Sequence, residues 1–435
     1  MTSGPQPKAG EAHRAIDAVW RIESPRLIAG LTRMVGDVGT AEDLAQDALV
    51  AALEKWPETG VPDNPGAWLM ATAKRRAIDG FRRSKLLDRK HVELGYEMAD
   101  APEAAAAELD RASEDHVGDD LLRLVFIACH PVITTEARVA LTLRMLGGLG
   151  TPEIARAFLV PESTLAQRIV RAKKTLADAK VPFELPPPDQ LGERLASVLE
   201  VIYLIFNEGY AATAGDDWLR PALCDDALRL GRVLAELMPT EAEVHGLVGL
   251  MEIQASRARA RVGPGGEPIL LLDQDRSRWD HLLVRRGLAA LDKAQALGTA
   301  SGIGLGPYGL QAAIAACHAR ARTGDETDWI RIAALYHALA TVMPSPIVDL
   351  NRAVAMAMAF GPARGLEIVD GLLSEPSLKA YHLLPSVRGD LLFKLERWSE
   401  AAAEFERAAG MTKNERERTL LRGRADEARA KLAAP

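Results

Sequence analysis

Aromatic residues make up only 5% of this 435-residue chain. Strands enrich aromatic and β-branched side chains, whereas Ala and Leu, abundant here, favour helices. The shortage argues against a β-sandwich and for close-packed helices. Cysteine is scarcer still: Cys129, Cys224 and Cys317 lie far apart, each in an apolar helical stretch. With no CxxC and no Cys/His pair at ligand spacing, neither a disulfide framework nor a zinc site is expected. No apolar run approaches the roughly 18 residues of a membrane span. The opening residues, MTSGPQPKAGEAHR, lack the apolar stretch of a secretory signal. A cytoplasmic chain without a membrane partner is expected. The nine histidines are scattered and form no HExxH pattern. Gly263-Pro264-Gly265-Gly266 lacks the Lys-Ser/Thr of a phosphate-binding loop and reads as a turn. No catalytic set, metal site or cofactor is predicted, and the chain is not read as an enzyme.

What is present is the balance of an ordinary globular protein, 48% hydrophobic and 26% charged. At roughly 100–200 residues per domain, the length implies two to four domains. The net charge of -7 argues against a uniformly basic nucleic-acid binder, but the average hides segregation. Lys74 to Lys90 holds eight basic residues against two acids; Glu93 to Asp120 holds ten acids against one Arg. Basic character returns from Arg168 to Lys174. Two basic islands around an acidic stretch fit two DNA-contacting modules on a repelled linker, and equally fit solvated helix faces.

The first module, residues 10–90, contains Gly39-Thr40-Ala41-Glu42-Asp43, which reads as a helix start with Thr40 as N-cap. A Pro/Gly/Asn-rich loop follows. Then Trp68, Leu69, Thr72, Ala73, Ile78 and Phe81 mark a helix whose other face carries Lys74, Arg75, Arg82 and Arg83. Residues 91–119 read as a flexible acidic linker. The second module, 120–181, reads as four short helices ending in helix-turn-helix spacing. Thr151-Pro152-Glu153 starts one helix, with Thr151 as cap, and Pro161 to Thr164 starts the next. In that last helix Leu165, Ile169, Ala172 and Leu176 face inward, opposite Gln167, Arg168, Arg171 and Lys174. A recognition helix needs this division, because its polar N-terminal residues reach base edges while Arg and Lys meet phosphate.

Pro182 to Pro188 reads as a spacer, making 182–189 a hinge and 190–435 a separate helical extension. Within it, Leu234–Ile253 aligns with Leu339–Met358, each a helix, a Met-Pro break and a helix. The offset of 105 residues is close to three tetratricopeptide periods of about 34. Gly389, Ala401, Phe405 and Ala408 occupy the small and aromatic spacings of such a repeat, although Leu392 stands where a Tyr is usual. Asp273 to Asp280, DQDRSRWD, lacks the Gly and terminal Glu of a calcium loop and reads as a helix-initiating loop with Asp and Ser caps. His245 and His382 sit in apolar helical stretches and read as core histidines.

The first 180 residues resemble the extracytoplasmic-function branch of the sigma-70 family of bacterial RNA polymerase sigma factors. Gly39–Pro57 resembles region 2.2, Asn64–Arg83 regions 2.3 and 2.4, and Leu149–Leu176 region 4.2. The turn Phe158-Leu159-Val160-Pro161 replaces the usual Gly and resembles a subgroup with a tetratricopeptide-like extension. Tyr203–Tyr210 and Leu272–Asp280 resemble that extension too. The resemblance implies an all-α protein of two sigma modules and a helical-repeat domain. Its partners would be core polymerase, through the β′ clamp and β flap, and promoter DNA, duplex at minus thirty-five and single-stranded at minus ten.

The resemblance also implies roles. Ser163, Thr164, Gln167, Arg168, Arg171 and Lys174 would contact duplex DNA; Asn64, Lys74, Arg75, Arg82 and Arg83 would hold the unpaired strand. Asp43, Gln46 and Asp47 would meet polymerase. Trp68 stacks on a base or belongs to the core. The extension would regulate the sigma modules through an intramolecular contact or a protein partner. A helix-turn-helix regulator with a repeat-type sensor domain, or a repeat-based scaffold, are the alternatives.

Overall fold

The computed structural model describes residues 9–91, 117–158, 160–210, 220–264, 269–412 and 414–433. The acidic linker lies almost wholly outside these residues, as do Leu159 of the Phe-Leu-Val-Pro turn and the second half of the glycine-rich loop. Every regular element among the described residues is a helix. The chain divides into two compact units, Met1–Ile202 and Tyr203–Pro435.

In the first unit, α1 (Ala9–Val35), α2 (Val38–Thr59) and α3 (Pro65–His91) pack on one another. The core side of α2 is nearly all alanine (Ala41, Ala45, Ala48, Ala52) before Trp56, so its neighbours approach closely. Its cap differs from the sequence reading. Asp37 is the N-cap, and its carboxylate accepts from the Thr40 amide at 2.6 Å and the Thr40 hydroxyl at 2.7 Å. Thr40 therefore sits at the third helical position, where its amide is the donor a capping Asp satisfies. Four helices follow: α4 (Val117–Ala128), α5 (Thr135–Met145), α6 (Thr151–Ala157) and α7 (Glu162–Asp178). Gly150, not Thr151, caps α6, and Glu153 Oε2 accepts the Gly150 amide at 2.7 Å.

The two modules pack together through α1 against α4 and α5, and α2 against α7. Gly148 makes the closest approach: φ is +70°, and a Cβ there would lie 3.1 Å from Arg21 Cα. Only glycine combines that conformation with that approach.

The proline-rich segment 182–188 does not divide the units. It leads into α8 (Pro188–Tyr210), and the division falls inside that helix. The reason is hydrogen bonding. Ser197 donates to the Cys129 carbonyl at 2.8 Å, Arg194 to the Phe126 carbonyl at 2.8 Å, and Arg138 to Ser197 Oγ at 2.5 Å.

The second unit runs through α9 (Pro221–Leu237), α10 (Ala242–Ala255), α11 (His281–Ala300), α12 (Pro307–Arg320), α13 (Trp329–Val342), α14 (Pro346–Phe360), α15 (Pro362–Gly371), α16 (Leu383–Lys394), α17 (Trp398–Met411) and α18 (Glu415–Ala433). Most pack on their neighbours in sequence, whereas α12 packs chiefly on α10, two helices back. The internal alignment is visible in the backbone. Met238 ends α9 at φ -127°, ψ 65°, and Met343 ends α13 at φ -139°, ψ 74°. Their amides donate at 2.8 Å to Leu234 and Leu339, the aligned carbonyls. Near the C-terminus, a Cβ on Gly389 would lie 3.0 Å from the Phe405 ring, so a small residue is required there. Ala401, Phe405 and Ala408 are all buried.

Candidate nucleic-acid and polymerase interface

Helix α7 buries Leu165, Ile169, Ala172 and Leu176 and leaves its other side to solvent. Ser163, Thr164, Gln167, Arg171 and Lys174 are exposed, and Arg168 is half-exposed. Arg168 also acts on Glu136 at the start of α5: the Glu136 carboxyl lies below its usual range through its own backbone amide and the Thr134 hydroxyl, with Arg168 adding to the effect. The sequence reading missed Val170. It is 64% exposed and lies three residues beyond Gln167 on the same stripe, where a methyl group can meet a thymine methyl. The i, i+3, i+4, i+7 spacing from Ser163 was the available signal.

In the first module, Arg75 is exposed and Lys74 half-buried on α3. Arg82 and Arg83 lie further along the same helix, and their side chains fall outside the described residues. Asn64 is exposed, but its Oδ1 already accepts the Ala67 amide at 3.0 Å, making it the cap of α3. Trp68 is half-buried and packs edge-on against the buried Trp56, with ring centroids 5.2 Å apart.

Two of the three α2 candidates carry ion pairs yet stay exposed. Asp43 receives Lys173 of α7 at 3.0 Å, and Asp47 receives Arg76 of α3 at 3.2 Å. Gln46 is half-buried beside them.

Elsewhere the motifs resolve into structure. Asp280 caps α11, accepting from Leu282 and Leu283; Asp275 accepts from the Ser277 amide and hydroxyl. Arg276 donates to the His318 and Ala321 carbonyls and to Thr327, stitching this loop to the end of α12. His245 is buried against the Pro239 carbonyl, whereas His382 is half-buried and pairs with Glu417 at 2.9 Å. Burial pushes the Cys129 thiol up to about 11 and Cys224 up to about 12, so neither is a ready nucleophile. Among the described residues, no group of three or more His, Cys, Asp or Glu is placed to hold a metal ion, and no helix is long and apolar enough to cross a membrane.

An amphipathic helix-turn-helix with an open polar face, preceded by a three-helix module with a basic helix, is the order of elements a sigma-type transcription factor requires. Comparison with known proteins supports this class. Residues 20–86 match sigma-70 region 2 and residues 123–176 match sigma-70 region 4. Residues 194–295 match a family of unknown function, DUF6596. An uncharacterised protein of Rhizobium meliloti (strain 1021) is 41% identical over 94% of this chain and 95% of its own length. The probable ECF RNA polymerase sigma factor SigI of Mycobacterium tuberculosis is 26% identical over 40% of this chain and 59% of its own. The ECF RNA polymerase sigma factor BldN of Streptomyces coelicolor is 32% identical over 33% of this chain and 52% of its own. No solved structure matches. The chain belongs to the extracytoplasmic-function branch of the sigma-70 family and carries a C-terminal extension. Core RNA polymerase and promoter DNA are the partners its sigma modules imply.

Proposed function

We propose that this sigma factor reads the minus-thirty-five element with the exposed face of α7 and holds the unpaired minus-ten strand along α3. The observation that carries the reading is the division of α7 itself. Four buried apolar residues fix it on its module, while Ser163, Thr164, Gln167, Arg168, Arg171 and Lys174 remain open to solvent on the other side. Phosphate contacts from Arg and Lys position such a helix, and base contacts give it specificity. On α3, Lys74, Arg75, Arg82 and Arg83 supply the charge that tracks a single strand. Asn64 reads a base only if it gives up its capping bond, so its cap role is the stronger. Polymerase docks on α2 through Asp43, Gln46 and Asp47.

The extension regulates the sigma unit. Its packing between helices one or two elements apart and its repeated Met-terminated helix support a tetratricopeptide-like array, a surface suited to protein contacts.

Promoter-dependent run-off transcription with core polymerase tests both parts. Full-length protein should initiate at a selected promoter, and reversing Arg82 and Arg83 to Glu should abolish permanganate reactivity of the minus-ten thymines while polymerase binding persists. A chain ending after Ile202, which keeps the Arg194 and Ser197 bonds, should differ several-fold in run-off yield from the full chain. Equal yields would remove the regulatory role.

A further inference from the structure

The link from Ser256 to Asp280, between α10 and α11, is the longest between two helices of the second unit. A long link inside a packed array is usually functional. This one carries five arginines: Arg257, Arg259, Arg261, Arg276 and Arg278. The guanidiniums of Arg257 and Arg276 lie 5.7 Å and 5.3 Å from the centre of the Trp279 ring. Protein acceptors hold both in place. Arg257 donates to the Tyr210 hydroxyl at 2.6 Å, and Arg276 to the His318 and Ala321 carbonyls and the Thr327 hydroxyl. Arg261 donates to the Tyr210 carbonyl. Carboxylates do not balance this charge: among the described residues, none lies within 4.0 Å of Arg257, Arg259, Arg276 or Arg278. Asp275 and Asp280 are spent on backbone amides. Burial first, then the charge of Arg257, pushes the Arg276 pKa down.

A cleft of about 580 Å³ opens at this cluster, lined by Arg259, Val262, Ser277, Arg278, Trp279 and Asp280 among others. Arg259 and Arg278 are exposed, and their guanidiniums make no hydrogen bond among the described residues. Trp279 is 5% exposed, yet its Nε1 has no partner among the described residues; the buried Nε atoms of Arg257 and Arg276 have none either. All these groups are donors. A buried donor left unpaired is costly, and several beside uncompensated positive charge mark a place for acceptors that carry negative charge. Guanidinium forks match phosphate oxygens two at a time. The cleft has the size of a small-molecule site, larger than a bare anion fills, and Val262 and the indole give it an apolar wall.

We propose that the Ser256–Asp280 link of the extension binds a small organic phosphate, with Arg259 and Arg278 clasping the phosphate and the Trp279 indole N–H donating to it. The inference goes beyond promoter recognition and rests on none of the sigma assignments.

Titration calorimetry of the full chain tests it, with glucose 6-phosphate, adenosine monophosphate, inorganic phosphate and citrate as probes at one salt concentration. At least one of the two organic phosphates should bind one site per chain, at least tenfold more tightly than inorganic phosphate or citrate. Arg259→Ala/Arg278→Ala changes only exposed side chains, so the protein should keep its thermal midpoint and lose at least tenfold in that affinity. Trp279→Phe removes the unpartnered N–H, keeps a ring and should lose several-fold. No saturable binding of either organic phosphate, or equal binding by the double variant, would overturn the site. Citrate binding as tightly would overturn the choice of phosphate, and inorganic phosphate binding as tightly would overturn the organic part. Because neither polymerase nor promoter enters the measurement, its failure and that of the promoter reading are distinguishable.

Discussion

Glu42 in the sigma unit and Glu252 in the extension are the same chemical device in two settings. Each is a buried carboxylate between two cations, Glu42 between Arg144 and Lys173, Glu252 between Arg232 at 2.8 Å and Arg286 at 3.4 Å. The partners of Glu252 lie on α9 and α11, the helices flanking its own α10, so the cluster ties three consecutive helices. Those of Glu42 come from another module, more than 100 residues on. One pairing ties three consecutive helices; the other ties α2 to helices of the second module. The two carboxylates are equally buried, and sequence separation of the partners tells them apart.

The largest expected effect breaks this comparison directly. Removing one member of a buried ion cluster costs about 3–5 kcal/mol when the others stay buried. Arg232 and Arg286 are 33% and 48% exposed in their side chains, so both freed cations stay partly hydrated and Glu252→Ala should cost less than about 3 kcal/mol, below that range. Denaturant unfolding should show it as a lowered midpoint for the extension. Glu42→Ala should instead leave both modules folded and raise amide exchange in α2 and α7, because its freed cations can rehydrate when the modules part. Equal loss of cooperative stability in the two variants would erase the distinction.

A pH-dependent effect follows from His318, in the extension. Burial first, then Arg257 and Arg276, hold its pKa at about 4, against 6.5 for an ordinary histidine. The folded value is depressed, so the unfolded chain binds the proton more readily at mildly acid pH. Stability from this residue is complete above pH 6.5 and is lost as pH falls from about 6.5 toward 4, by roughly 3 kcal/mol at most. Replacement by Gln should flatten that acid limb in a melt of the extension. An unchanged limb would assign the acid sensitivity elsewhere, such as to His130 in the sigma unit, also held at about 4 by burial and Arg194.

Much of the fold was legible because it is written in local periodicity. The buried stripe of α7, the basic side of α3 and the Met-Pro break at two places 105 residues apart are patterns within one helix or one helix pair. At the aligned positions, Met238 and Met343 both end their helices with amide bonds to Leu234 and Leu339. What sequence could not supply is juxtaposition. Nothing in Glu42, Arg144 and Lys173 as letters says that they meet, nor that Lys173 also pairs with the exposed Asp43 at 3.0 Å. The unit boundary was misplaced because prolines advertise an extended segment, whereas Arg194 and Ser197, with no local pattern, bind the next helix back to the sigma unit. The Asp37 cap was missed because Thr40 competes with it as a capping residue, and only geometry shows which oxygen accepts.

The finest comparison lies within α7, between the residues proposed to read bases and those proposed only to add charge. Arg168 is half-exposed near the middle of the open face, and its planar guanidinium can bridge two acceptors of a guanine. Arg168→Ala should cost about 1–3 kcal/mol at the selected promoter and flatten the preference for one base pair. Lys174 stands further toward the C-terminal end, 74% exposed in its side chain and paired with Asp178 at 3.0 Å. Such an exposed pair contributes little to stability, and breaking it leaves the helix in place. Lys174→Ala should therefore weaken every DNA sequence about equally. Its signature is the slope of log affinity against log salt, which should become shallower by about 0.9 for the single phosphate no longer neutralised. The open complex should be titrated at several salt concentrations with selected and scrambled minus-thirty-five sequences. Loss of base preference in Lys174→Ala, or an unchanged salt slope, would move the boundary between reading and charge along α7.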